Sequence, residues 1–203
     1  PGSDQGAGRE TGQDYKKQKN LYKKEMTRII LIGYMGAGKT TLGKALAREM
    51  NVQFCDLDWF IEERYHRTIQ QIFDEKGEAG FRDIERKMLY EVADFENIVI
   101  SCGGGTPCFF DNIEFMNSKA QTVYLKATPE ILFQHLKMGK NERPLLKNKT
   151  DEELMQYITE SLAKREPFYS KADYIFDITL LNSIDRIKDS VRLIQELLNK
   201  QAE

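Results

Sequence analysis

The sequence predicts an α/β fold in which helices cover a parallel sheet, and three observations carry that expectation. From Arg28 onward, short β-rich runs alternate with segments of helical periodicity. The first run passes through a glycine-rich turn directly into a helical segment. The chain has 203 residues, 40% apolar and 10% aromatic, which suits one ordinary hydrophobic core.

The elements follow in order. Strands are expected near 29–32, 52–55, 98–102, 122–125 and 174–178. Between the second and third, Phe81, Ile84, Met88, Leu89 and Val92 recur at helical spacing. Thr68 and Gln71 form a capping-box pattern there and Gly77 suits a helix stop, so two helices are expected in that interval. Thr128-Pro129 opens another helix, Thr150 and Glu153 cap the next, and Ile184, Ile187, Val191, Ile194 and Leu198 stripe the last. Residues 1–25 hold only Ala7, Tyr15, Leu21 and Tyr22 as apolar or aromatic residues, too few to offset the entropy of ordering. They are expected to be a flexible polar tail or a remnant ahead of Met26, leaving 26–203 as the folded domain. A basic docking arm on Lys16, Lys17, Lys19, Lys23 and Lys24 is the alternative.

Composition excludes several classes of function. Thirty Lys and Arg face 32 Asp and Glu, for a net charge of -2 and a pI of 5.9, so no basic surplus marks a nucleic-acid or anionic-membrane partner. No apolar run approaches the roughly 20 residues of a membrane helix. Cys55, Cys102 and Cys108 are odd in number and lack CxxC spacing, and His66 and His135 lie beside no cysteine pair. A structural zinc site is not expected, and the reducing cytoplasm is the expected compartment.

Gly33-Tyr34-Met35-Gly36-Ala37-Gly38-Lys39-Thr40 satisfies G-x-x-x-x-G-K-[ST] between a strand and a helix, the context in which that pattern binds nucleotide phosphates. Glycines let backbone N–H groups converge on phosphate, and the helix N-terminus adds positive potential. Gly36, Ala37, Gly38, Lys39, Thr40 and Thr41 are therefore candidate ATP ligands, with Lys39 as a mobile cation and the Thr40 hydroxyl as a magnesium ligand. A magnesium-binding Asp is absent after 98–100, where Ser101 and Cys102 follow. Asp56 and Asp58 are the substitutes. Two residues apart at the end of the second strand, they are expected on one face, one holding a metal-bound water and the other meeting an acceptor hydroxyl. Either could instead cap the helix expected to begin near Trp59.

Several segments, taken in order, resemble shikimate kinases. They are 33–41, Phe54-Cys55-Asp56-Leu57-Asp58, Gly77-Glu78-Ala79-Gly80-Phe81-Arg82-Asp83-Ile84-Glu85, Gly103-Gly104-Gly105, Arg143-Pro144-Leu145-Leu146 and Arg165-Glu166-Pro167-Phe168-Tyr169. The phosphate loop is widely shared; the combination is specific, and it spans roughly residues 26–180. The resemblance implies a P-loop fold of the nucleoside monophosphate kinase type, with a five-stranded parallel sheet, flanking helices and a mobile lid at about 138–149. It implies magnesium-dependent transfer of the ATP γ-phosphoryl group to the 3-hydroxyl of shikimate, a step towards chorismate and the aromatic amino acids. A monomer is expected, with shikimate as small-molecule partner and, from the composition, no nucleic-acid or membrane partner.

The same resemblance distributes roles. Lys39, magnesium and Arg143 from the lid would neutralise the transferring group, and Asp58 would orient the hydroxyl and accept its proton, with Asp56 serving the metal. Arg82 and Arg165 would clamp the substrate carboxylate, and Gly103, Gly104 and Gly105 would contact the ring. Residue chemistry alone also allows Arg82 to pair along its helix with Glu78 or Glu85, Arg165 to cap a helix C-terminus, and the glycines to form a plain turn beside Pro107. Leu136 stands where the family commonly carries an arginine near adenine, with Asn182 and Ser183 as candidates for the other adenine wall. The rival functions are another small-metabolite kinase, such as a gluconate kinase, and a catalytically silent ATP-binding module.

Overall fold

The computed structural model describes residues 27–138, 149–178 and 184–199. Residues 1–25, Arg143 with nearly all of the expected lid, and Asn182 and Ser183 lie outside them.

Five parallel strands form one sheet: β1 (Arg28–Ile32), β2 (Gln53–Asp56), β3 (Ile98–Ser101), β4 (Gln121–Lys126) and β5 (Tyr174–Asp177), in the order β2-β3-β1-β4-β5. Ile29, Ile30, Leu31 and Ile32 of the central strand are all fully buried. Successive strand residues point to opposite faces, so helices must cover both. The edge strand β5 alternates buried and exposed residues instead. Each strand falls within a residue or so of its sequence expectation.

The helices are α1 (Lys39–Glu49), α2 (Leu57–Tyr65), α3 (Ile69–Val92), α4 (Asn112–Lys119), α5 (Pro129–Met138), α6 (Asp151–Tyr169) and α7 (Ile184–Asn199). Reciprocal capping boxes at Thr68/Gln71 and Thr150/Glu153 start α3 and α6, as their spacing predicts. Gly77 interrupts α3 with φ 67°, a left-handed backbone that glycine adopts without a Cβ penalty, and the helix resumes beyond the kink. Its second half buries Phe81, Ile84, Met88, Leu89 and Val92. Helix α7 lies against α1 and buries Val191, Ile194 and Leu198.

Two features depart from the sequence reading. Helix α4 and the preceding 3-10 turn (Thr106–Cys108) were not anticipated, because α4 buries only Asn112, Ile113 and Met116 and carries no long apolar stripe. Helix α2 begins at Leu57 rather than near Trp59, so Asp56 ends the strand while Asp58 belongs to the first helical turn. The strand-period argument for placing both carboxylates on one face therefore does not apply, although both reach the same cleft by the route described below.

Candidate active site

The phosphate loop leaves the C-terminal end of β1 and enters α1. Gly36 and Gly38 have φ of 84° and 82°, and a Cβ on Gly38 would meet no atom within 4 Å. Gly38 caps α1 without a side-chain hydrogen bond, so no capping oxygen occupies the first amides of the helix. Together these leave an open cradle of N–H donors with positive potential, the arrangement that binds phosphate. The Lys39 ammonium donates to the carbonyl oxygens of Gly33 and Tyr34 at 2.8 and 3.0 Å, which holds the cation against the loop it serves.

The cleft over this loop encloses about 620 Å³, and its lining includes Gly36, Lys39, Thr40, Asp56, Asp58 and Gly103. Thr40 donates its hydroxyl to Asp56 Oδ2 at 2.8 Å. A hydroxyl and a carboxylate paired beside a phosphate cradle are the hard oxygen donors magnesium selects, so the residues present fit a magnesium–nucleotide complex. The other oxygen of Asp56 accepts the Asp58 N–H at 3.2 Å and caps α2. Asp56 thus caps the helix, one of the readings its sequence position left open, while its second oxygen stays on Thr40 at the phosphate loop.

Asp58 lies in a more demanding environment. Burial, then the nearby carboxylates of Asp56 and Glu85, push its pKa up to about 6, against a smaller opposing pull from Lys39. A carboxylate poised there can accept a proton near neutral pH.

The run Gly103-Gly104-Gly105 follows β3 and turns past three functional side chains. A Cβ on Gly103 would lie 3.0 Å from Asp58 Oδ1, one on Gly104 3.3 Å from Arg165 Nη1, and one on Gly105 2.7 Å from Arg82 Nη2. Each glycine makes room for a different charged group, which a plain turn does not require. The turn and the carboxylate of Asp58 share the cleft with the phosphate loop, while Arg82 and Arg165 adjoin the turn without lining the cleft.

Arg82 projects from α3 with its side chain 12% exposed. Its guanidinium donates to Glu85 at 2.8 Å, pairs with Glu78 at 3.5 Å and stacks over Phe109 at 4.0 Å. The helical ion pairs expected from spacing are therefore present, and they orient the guanidinium towards the glycine turn. Arg165 projects from α6 over the Tyr34 ring at 5.3 Å and does not cap the helix, which ends at Tyr169 with Ser170 as its cap.

Glu85 is a site residue that sequence reasoning treated only as a pairing partner. It is 1% exposed, receives the Arg82 donor, and accepts the Thr106 hydroxyl at 2.6 Å. The signal was its place three residues beyond Arg82. His135 was also missed: its Nδ1 donates to the Gly36 carbonyl at 2.9 Å, which joins α5 to the phosphate loop. Leu136 packs beside it, its Cγ 3.1 Å from where a Gly36 Cβ would stand. An apolar side chain thus occupies the wall where an arginine was the family expectation.

A family model for shikimate kinase matches residues 35–198. Shikimate kinase of Phocaeicola vulgatus is 61% identical over 175 residues, which cover 86% of this chain and 100% of that protein. The 1.7 Å crystal structure of shikimate kinase from Bacteroides thetaiotaomicron superposes with a TM-score of 0.84 at 57% identity, covering 86% of this chain and 99% of that one. Shikimate kinase from Acinetobacter baumannii, solved in complex with shikimate, superposes with a TM-score of 0.75 at 31% identity, covering 91% and 99%.

Proposed function

The chain belongs to the shikimate kinase family, and from that premise we propose how its residues divide the work of phosphorylating shikimate. The enzyme transfers the γ-phosphoryl group of ATP to the 3-hydroxyl of shikimate, giving shikimate 3-phosphate and ADP. Magnesium bound with ATP supplies charge neutralisation on the phosphates.

The amides of Gly36, Ala37, Gly38, Lys39, Thr40 and Thr41 bind the nucleotide phosphates, and the Lys39 ammonium moves from its loop carbonyls onto phosphate oxygen. Thr40 would hold the metal through its hydroxyl and Asp56 through a metal-bound water. The acceptor ring lies along Gly103, Gly104 and Gly105, with its carboxylate between Arg82 and Arg165 and its reacting hydroxyl at Asp58. Planar guanidinium groups suit a carboxylate better than lysine does. Asp58 orients the hydroxyl and takes its proton, and Arg143 completes the neutralisation of the transferring group. Excluding water from this cleft protects ATP from hydrolysis.

The observation that carries the reading is the glycine turn, because its missing side chains bring one carboxylate and two guanidinium groups together beside the phosphate loop. A silent nucleotide-binding module has no use for that set. The three free thiols support the cytoplasm as the working compartment. Among the described residues, no helix is long and apolar enough to cross a membrane.

Steady-state ADP release with and without shikimate tests the assignment, with gluconate and nucleoside monophosphates as competing acceptors. Shikimate-dependent release should exceed release with either competitor by orders of magnitude. Tight ATP binding without shikimate-dependent turnover would select the silent module instead.

A further inference from the structure

The acceptor side contains a hydroxyl that none of these roles uses. Tyr169 ends α6, is fully buried, and donates to the carbonyl oxygen of Gly104 at 2.5 Å. A buried phenol must find an acceptor, and here the acceptor is the middle residue of the turn that receives the ring. Arg165 stands four residues earlier on the same face of the helix, and its guanidinium lies beside the same hydroxyl. Its Nη1 approaches the place where Gly104 has no Cβ.

The phenol is itself held in place. Its ring packs against Tyr124 with centroids 5.1 Å apart, and the Tyr124 hydroxyl donates to Glu166 at 2.5 Å. Glu166 also pairs with Lys126 at 3.1 Å. Tyr169 therefore has little freedom to turn, so its hydroxyl fixes the turn to the helix rather than following it.

We propose that Tyr169 is a positioning residue of the acceptor site. By tying Gly104 to the helix that carries Arg165, it sets the gap between the turn and the guanidinium, and hence where the substrate's carboxylate rests. This inference depends on Arg165 binding that carboxylate, as argued above. Asp58 and Lys39 act on the reacting hydroxyl and phosphate, so loss of the phenol oxygen weakens acceptor binding more than it slows transfer.

Tyr169→Phe in the full chain removes one oxygen and leaves the ring. Its shikimate KM should rise about fivefold to tenfold, as for one buried hydrogen bond, with kcat within about threefold and the ATP KM unchanged. The decisive arm uses the trihydroxycyclohexene analogue that lacks the carboxylate. On that acceptor the kcat/KM values of variant and wild type should agree within about twofold, because the positioned guanidinium has no charge to meet. A double-mutant cycle with Arg165→Lys should be non-additive. Equal losses on both acceptors, or a variant too unstable to assay, would show that the hydroxyl serves only the fold; no loss on either would show it idle. Each of these overturns the proposal. A wild type that turns over no shikimate would instead overturn the functional reading itself, and the wild-type arm reads that result alone.

Discussion

The hydroxyl of Thr40 and the carboxylate of Asp56 are joined by a 2.8 Å hydrogen bond that links the start of α1 to the end of β2. Asp58, two residues on, faces the glycine turn instead. The pair of aspartates should therefore separate under magnesium titration. Asp56→Asn should raise the magnesium requirement, and excess metal should restore part of kcat. Asp58→Asn should lower kcat about a hundredfold or more, with magnesium-ATP binding retained and no rescue by metal. Rescue of the Asp58 variant alone would reverse these roles.

Ionisation of Asp58 sets a pH dependence in both rate and stability. With its pKa raised to about 6, kcat/KM for shikimate should fall as pH drops through that value. The folded state holds the Asp58 proton more tightly than the unfolded chain, whose carboxylate titrates near 3.8. Ionisation of this group consequently opposes folding, increasingly as pH rises from about 4 to 6 and by a constant amount above. Asp58→Asn should stabilise the fold on the order of 3 kcal/mol at pH 8 and have little effect below pH 4. Denaturant unfolding at both pH values measures this, and equal effects at the two would contradict the ionised, desolvated carboxylate.

The two arginines should report on the acceptor alone. Arg82→Ala or Arg165→Ala should raise the shikimate KM by the equivalent of about 2 to 4 kcal/mol, with lysine rescuing only in part. ATP binding without shikimate, followed by calorimetry, should remain near normal. Equal damage to ATP binding would assign these residues to the wrong substrate.

Gly105→Ala probes the close approach of the turn to Arg82. The backbone there, at φ -89° and ψ -23°, accepts any residue, but the new methyl would meet the guanidinium at 2.7 Å. The Glu85 pair and Phe109 limit where Arg82 can retreat. The shikimate KM should rise by the equivalent of about 1 to 3 kcal/mol, with the ATP KM unchanged. An unaltered shikimate KM would mean that Arg82 can shift without consequence.

Removal of residues 1–25 should leave shikimate phosphorylation nearly unchanged, since the segment has too little apolar content to complete a core and precedes β1. Turnover and thermal midpoint of the shortened and full chains make the comparison. A large loss in either would establish a structural or functional role for the segment.

Much of this architecture was readable from local signals. The five strands stood out because their apolar runs are short and bounded, and the starts of α3 and α6 because Thr68 and Thr150 each precede a partner by three residues. Helix α4 was not readable, since a single turn's worth of burial leaves no periodic stripe. The phosphate loop was legible as a local motif. Glu85 was not, because its importance comes from burial against Thr106, twenty-one residues away in the chain. The geometry of Asp58 was misread for a similar reason: nothing in Phe54-Cys55-Asp56-Leu57-Asp58 marks where strand becomes helix, and only the Asp56 cap decides it.

Strands β1 and β3 are paired neighbours, with Leu31 opposite Ser101, and each runs into one of the two glycine-rich turns. The turns thus leave the sheet one strand spacing apart, about 4.8 Å, along a hydrogen-bonded seam. On the roles proposed for Asp58, Arg82 and Arg165, this seam would set the distance between donor and acceptor, and side chains on α2, α3 and α6 would set acceptor identity. The arrangement makes the enzyme evolvable: a laboratory lineage selected for a different small polyol should collect its changes around Asp58, Arg82 and Arg165 while β1 and β3 stay untouched.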